Sequence, residues 1–142
     1  MADIDRDGWK LMQRELGERV TLIGDDLFVT NAARIRQGIK DNLANAVLNK
    51  PNQIATVSET IDAINLTRQA GWMPVVSVRS GETEDSFISH LAVATNAPML
   101  KVGSFARSER MAKWNELLRI QRRLGSRATF FPFQKKPYRS NT

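Results

Sequence analysis

Residues 46–80, AVLNKPNQIATVSETIDAINLTRQAGWMPVVSVRS, carry the reading on which the fold turns. Two short apolar runs, AVLN at 46–49 and MPVVSV at 73–78, flank a helical segment. Thr56 and Glu59 have the spacing of a capping box, in which the hydroxyl and the carboxylate satisfy orphan amides of the first turn. Val57, Ile61 and Ile64 supply a stripe at helical spacing, and Gly71 stops it. A strand, a covering helix and a second strand form one βαβ unit, whose strands must be parallel.

The pattern extends in both directions. GWKLMQREL reads as a helix stopped by Gly17, and VTLIG at 20–24 as a strand. Asn31 caps a helix that buries Ile35, Ile39 and Leu43 at i, i+4 and i+8. Downstream, Thr83 is placed to cap a helix with Phe87, Ile88, Leu91 and Ala92 inward, and a brief apolar run spans Pro98 to Val102. A long helix near 106–124 is expected to bury Met111, Trp114, Leu117, Leu118 and Leu124 and to end at Gly125. ATFF at 128–131 is a last candidate strand, with Pro132 against its continuing. Four βα units in succession imply a parallel sheet covered by helices, an α/β arrangement that resembles part of a (β/α) barrel. A complete barrel needs about 250 residues, and this chain has 142.

Composition narrows the function classes. The chain has no cysteine, which excludes a disulfide framework, a thiolate nucleophile and cysteine-ligated metal. Its one histidine, His90, excludes an intrachain site built on two imidazoles and reads as a helix-face residue. No apolar run is long enough for a membrane span, and the polar N-terminus is no Sec-type signal. Charge is uneven: residues 1–100 sum to −3 and residues 101–142 to +9. That basic end suits phosphate, nucleic acid or an acidic surface, or equally a solvated helix face and tail.

Charged and polar residues gather where the strands end. Asp25 and Asp26 follow VTLIG, and alternation lets at most one of them face a common site. Lys50 follows AVLN; it is either a solvent-facing lysine or, if its environment permits, a base. Arg79–Ser80–Gly81 offers a guanidinium, a hydroxyl and a glycine that lets backbone approach an anion. Lys101 leaves the fourth strand as Lys50 leaves the second. Glu82, Glu84 and Asp85 suit a first helical turn. One acid and three cations around a rim fit a small, multiply anionic substrate.

At this point the text GWKLMQRELG (8–17), GDDLFVTN (24–31), NKPNQIATVSETIDAI (49–64), AGW (70–72), RSGETED (79–85), HLAVATNA (90–97), LKVG (100–103) and RSERMAKWNELLRIQRRLG (107–125) resembles the C-terminal part of the enolases, the phosphopyruvate hydratases of glycolysis. The resemblance implies a partial TIM barrel, the C-terminal half of an enolase-type barrel, over residues 1–127, with 128–142 a divergent basic tail. It implies a cytoplasmic lyase that dehydrates 2-phospho-D-glycerate reversibly to phosphoenolpyruvate with Mg²⁺. By that resemblance Asp25 matches a metal carboxylate, Lys50 the general base, Arg79 and Ser80 the phosphoryl grip, and Lys101 a lysine near the substrate carboxylate.

Departures accompany it. Val78 stands where the family has histidine before the Arg–Ser pair, Ala55 where it has glycine, and Val102 where it has threonine. Asn49 and Pro51 flank Lys50 in place of aliphatic residues; Asn49 needs a polar partner, and Pro51 removes a ladder donor. RIQRRLG replaces an acidic stretch. The remaining metal carboxylates and the acid glutamates have no counterpart, so the chain is expected to be an incomplete enolase, inactive alone. The alternative is a non-catalytic, enolase-derived binding or structural protein with a basic surface. A half barrel is further expected to leave open edges and an apolar face lined by Leu22, Val47 and Val76, and so to form a homo-oligomer or recruit a partner supplying the missing half. No membrane association is expected, and nucleic acid is disfavoured because no recognition module accompanies the basic residues.

Overall fold

The computed structural model describes residues 2–130. Among them the elements run α1 (Arg6–Leu16), β1 (Ile23–Gly24), α2 (Ala32–Lys40), β2 (Ala46–Asn49), α3 (Pro51–Ile54), α4 (Val57–Gln69), β3 (Met73–Ser77), α5 (Phe87–Ala94), β4 (Met99–Lys101) and α6 (Ser108–Leu124), closed by a short 3₁₀ turn at Gly125–Arg127. The four strands form one sheet in chain order, every pair parallel. This is the partial (β/α) barrel expected from the βα repeat. The candidate strand at 128–131 does not form over 128–130, and residues 131–142, which include most of the basic tail, lie outside the described residues.

Local signals placed most helices. Asn31 Oδ1 accepts from the amides of Ala33 and Arg34 at 3.0 and 3.1 Å, opening α2. Thr56 Oγ1 accepts from the Glu59 amide, one half of the capping box read from spacing, and gives its own proton to the Glu59 carboxylate. Gly71, at φ +72, takes the left-handed position that ends α4. Thr83 does not cap α5. Its hydroxyl accepts from the Asp85 amide, Asp85 accepts from the Phe87 amide, and the helix starts three residues later than Thr83 would place it.

Pro51 corrects another expectation. β2 ends at Asn49, and Pro51 opens α3 at its first position, where the missing amide is an orphan in any case. No ladder donor is lost. Asn49 is fully buried; its Nδ2 donates to the Val47 carbonyl at 3.0 Å, and among the described residues its Oδ1 has no partner.

Two apolar clusters join the sheet to its helices. Val47 packs with Phe28, Ile35, Leu43, Ala63 and Trp72, and Val76 packs with Ile64, Ile88, Leu91, Ala92 and Val102. Val47 and Val76 therefore face the helices, not an open barrel interior, and Leu22 is buried as well. Ala46, Leu48, Met73 and Val75 form the cluster on the opposite face, all buried; Ile23 and Met99 on the edge strands are 37% and 41% exposed. The open-face argument named the wrong side of β2 and β3, because strand parity cannot say which face meets the helices.

Other stripes shifted. In α4 Val57 is exposed, and Thr60, Ala63, Ile64 and Thr67 are buried. Phe87 is half-exposed on α5. In α6 the buried positions are Lys113, Glu116 and Ile120, while Leu118 is exposed and Met111, Trp114, Leu117 and Leu124 are only half-buried. Trp114 packs against the Val76 cluster, and Lys113 and Glu116 are buried with polar partners.

Candidate active site on the C-terminal rim

In parallel strands the register fixes which residues leave the sheet together. Gly24 lies beside Val47, Asn49 beside Val76, and Ser77 beside Lys101. Asp25, Lys50, Arg79 and Lys101 therefore emerge at the C-terminal ends of four consecutive strands. Ser77 Oγ donates to the Lys101 carbonyl at 2.8 Å, stitching β3 to β4 just below this rim. A cleft of about 350 Å³ opens there, lined by Asp26, Lys50, Arg79, Ser80 and Lys101, with Val78, Glu82, Arg110 and Lys113 at its walls.

Asp25 sits slightly apart from that lining. Its carboxylate lies 2.7 Å from Lys50 Nζ, an ammonium whose side chain is 9% exposed. Gln53 Nε2 approaches Asp25 at 3.3 Å and Asp26 at 3.4 Å. The two carboxylates thus converge rather than diverge. Alternation does not govern them because β1 stops at Gly24 and the chain enters a turn, with the Phe28 and Val29 amides donating to the Asp25 carbonyl.

Thr30 sets the orientation of this group. It is fully buried at φ +57, next to Val29 at φ +43, two β-branched residues in the left-handed region. Thr30 Oγ1 accepts from the Lys50 amide at 2.9 Å and donates its single proton to Gln53 Oε1 at 2.7 Å. Gln53 is then obliged to turn its NH₂ toward the two aspartates. Thr30, Gln53, Asp25 and Lys50 make a closed ring of hydrogen bonds across the ends of β1 and β2. Thr30 and Gln53 were not singled out in the sequence. Nothing local marks them, since their partners lie 20 and more residues away.

Arg79, Ser80 and Lys101 are exposed, and among the described residues neither cation has an ion-pair partner. Unpaired cations beside a hydroxyl leave their donors free for an anion. Lys113 is the opposite case. It is 1% exposed, and its Nζ donates to the Thr83 carbonyl at 2.6 Å and lies 3.4 Å from Glu82. Sequence reading missed it because a lysine on a basic helix looks solvated.

Magnesium prefers about six oxygens in an octahedron. Among the described residues no three acidic or imidazole side chains gather at one point. Asp25 offers one carboxylate, with Asp26 beside it, and these donors alone do not build a magnesium cage. His90 is remote from the rim: its Nε2 meets Glu116 at 3.1 Å between α5 and α6, in keeping with a helix-face role. No helix of the described residues is long and apolar enough to cross a membrane.

Comparison with known proteins adds to this geometry. The family model described as enolase, C-terminal TIM barrel domain, matches residues 1–137. The chain is 58% identical over 130 residues to "Enolase 1" of Desulfitobacterium hafniense, covering 92% of this chain and 30% of that protein. It is 54% identical over 131 residues to the enolase of Anaplasma marginale and 53% identical over 131 residues to that of Ehrlichia chaffeensis. In both, 92% of this chain is covered. The chain spans about 30% of the length of the curated relatives it matches.

Proposed function

The chain belongs to the enolase family, through that family's C-terminal TIM barrel domain, and from that premise we propose that its rim is the C-terminal half of an enolase site. The reaction is the reversible dehydration of 2-phospho-D-glycerate to phosphoenolpyruvate, the glycolytic lyase step named by phosphopyruvate hydratase. The observation that supports this most is the alignment of one acid and three cations at the ends of four consecutive parallel strands.

In this reading Arg79 and Ser80 hold the phosphoryl group and Lys101 pairs with the carboxylate. The guanidinium supplies two parallel donors, the hydroxyl a third, and the lysine a point charge. Lys50 takes the proton at C2, a step that requires the neutral amine: its lone pair accepts the proton while an N–H can still donate to Asp25. Asp25 would offer one carboxylate ligand to Mg²⁺, and the acidic and imidazole side chains of the described residues do not complete its octahedron. Among the described residues β1 and β4 are each paired on one side only, so each presents an edge to which further barrel strands can pair.

A non-catalytic role is the second reading. Val78 favours it, since an isopropyl group lining the cleft can neither donate nor accept a proton. Two measurements on the full 142-residue chain separate the readings. Calorimetry should show 2-phosphoglycerate binding that weakens about tenfold in Arg79→Ala. A coupled assay should show no turnover above background for the chain alone, and magnesium-dependent turnover after mixing with a polypeptide carrying the rest of an enolase. That turnover should vanish in Lys50→Ala. Absence of any binding by the wild-type chain at millimolar substrate would defeat the catalytic reading.

A further inference from the structure

Resting on the assignment of Arg79 and Ser80 to an anionic group, we infer that Glu82 and Lys113 are positioning residues that hold this pair in place. Residues 78–81 belong to no helix or strand, so no regular backbone ladder fixes them. The first firm attachment after β3 is at Glu82 and Thr83. Glu82 Oε1 accepts from Asn52 Nδ2 at 2.7 Å, and Glu82 Oε2 lies 3.4 Å from Lys113 Nζ. The same ammonium donates to the Thr83 carbonyl at 2.6 Å. Lys113 is itself held, because its own carbonyl accepts from Ser89 Oγ of α5 at 2.9 Å.

Glu82 therefore joins three parts of the rim: α3, two residues after Lys50; the segment that carries Arg79 and Ser80; and α6. The energetics favour a geometric role over a stabilising one. Burying an ammonium is costly, and a buried ion pair is often no more stable than well-packed apolar side chains of similar volume. A methionine at position 113 would pack among the half-buried residues of α6. What only an ammonium supplies at that position is a directed charge-assisted bond to one carbonyl and attraction for one carboxylate. Both targets lie within four residues of Arg79, where a small displacement of a gripping side chain is expensive in binding.

Lys113→Met and Glu82→Gln, in the full chain, test the inference. Lys113→Met removes the charge with little change in volume; Glu82→Gln keeps an acceptor for Asn52 but offers Lys113 an NH₂ in place of a carboxylate oxygen. The readouts are backbone ¹⁵N relaxation across the molecule, the thermal midpoint, and inorganic phosphate titrated against the Arg79 Nε–H resonance. We expect the backbone order parameters at 79–83 to fall below about 0.6 while the strands stay at about 0.85. Phosphate affinity should fall about tenfold with the Arg79 signal displaced less at saturation. A merely structural role would loosen the whole molecule instead.

Unchanged order parameters at 79–83 in a folded Lys113→Met protein overturn the inference. Should that variant unfold, Glu82→Gln is read by the same criteria. If order parameters fall locally but the wild-type chain takes no phosphate, the positioning role stands and the substrate-site assignment fails.

Discussion

Lys50 Nζ donates to the Asp25 carboxylate at 2.7 Å, and the two partners are unequally buried: 9% of the lysine side chain is exposed against 36% of the aspartate. The asymmetry has a consequence for mutation. Removing the aspartate strands an ammonium where water cannot reach it well, whereas removing the lysine leaves a carboxylate that solvent and Gln53 can still satisfy. Asp25→Ala should cost about 1.5–3 kcal/mol. Lys50→Met should cost clearly less. Urea unfolding followed by circular dichroism checks the order, and equal or reversed losses would refute it.

Phe28 is held between two glycines. A Cβ built on Gly24 would lie 2.2 Å from the Phe28 ring, and one built on Gly38 would also lie 2.2 Å from it. Phe28 is 1% exposed and meets the Trp72 ring at 5.9 Å, tilted by 43°, so little room is left for it to retreat. Gly24→Ala and Gly38→Ala should each destabilise by about 1–3 kcal/mol through overpacking. For Gly38 this loss must exceed the helix-propensity gain of about 1 kcal/mol from alanine. A rise in thermal midpoint for Gly38→Ala would show that the ring can move.

Ala55 takes φ +76 as it closes α3, the left-handed region in which a Cβ is strained. It is exposed, so packing offers no compensation. Ala55→Gly should therefore stabilise the chain by about 0.5–1 kcal/mol, the released strain outweighing the extra backbone entropy of glycine. The measurement is chemical denaturation, with the same slope and a higher midpoint as the expected result.

Glu116 links α5 to α6. The Arg119 guanidinium, hydrogen-bonded at 2.9 Å, holds its carboxyl below the ordinary value of 4.5, with the charges of Arg119, His90 and Arg123 adding to the effect against opposing burial. A carboxyl lowered in the folded state binds fewer protons there than in the unfolded chain. Its contribution to stability is complete above 4.5 and is lost as pH falls through the lower folded value. Asp41 moves in the same direction, chiefly through the hydrogen bond from Gln37 at 3.0 Å. Thermal midpoints should drop below about pH 4.5. Glu116→Gln should flatten part of that slope, and an unchanged slope would remove Glu116 from the account.

The sequence by itself determined the order of elements. Apolar runs at 46–49 and 73–77, the Asn31 and Thr56 caps and the stop at Gly71 are local signals, and local hydrogen bonding realises them. Succession of strand and helix then forced parallel pairing, and placed Asp25, Lys50, Arg79 and Lys101 at strand ends. Tertiary structure decided which side of each strand meets the helices, a binary choice that alternation leaves open. It decided that Asp25 and Asp26 converge, because the chain turns at Gly24, and that Lys113 is buried, because Thr83 and Glu82 lie 30 and 31 positions away. Such contacts depend on side chains that meet only after the sheet has formed, and spacing along the chain carries no record of them.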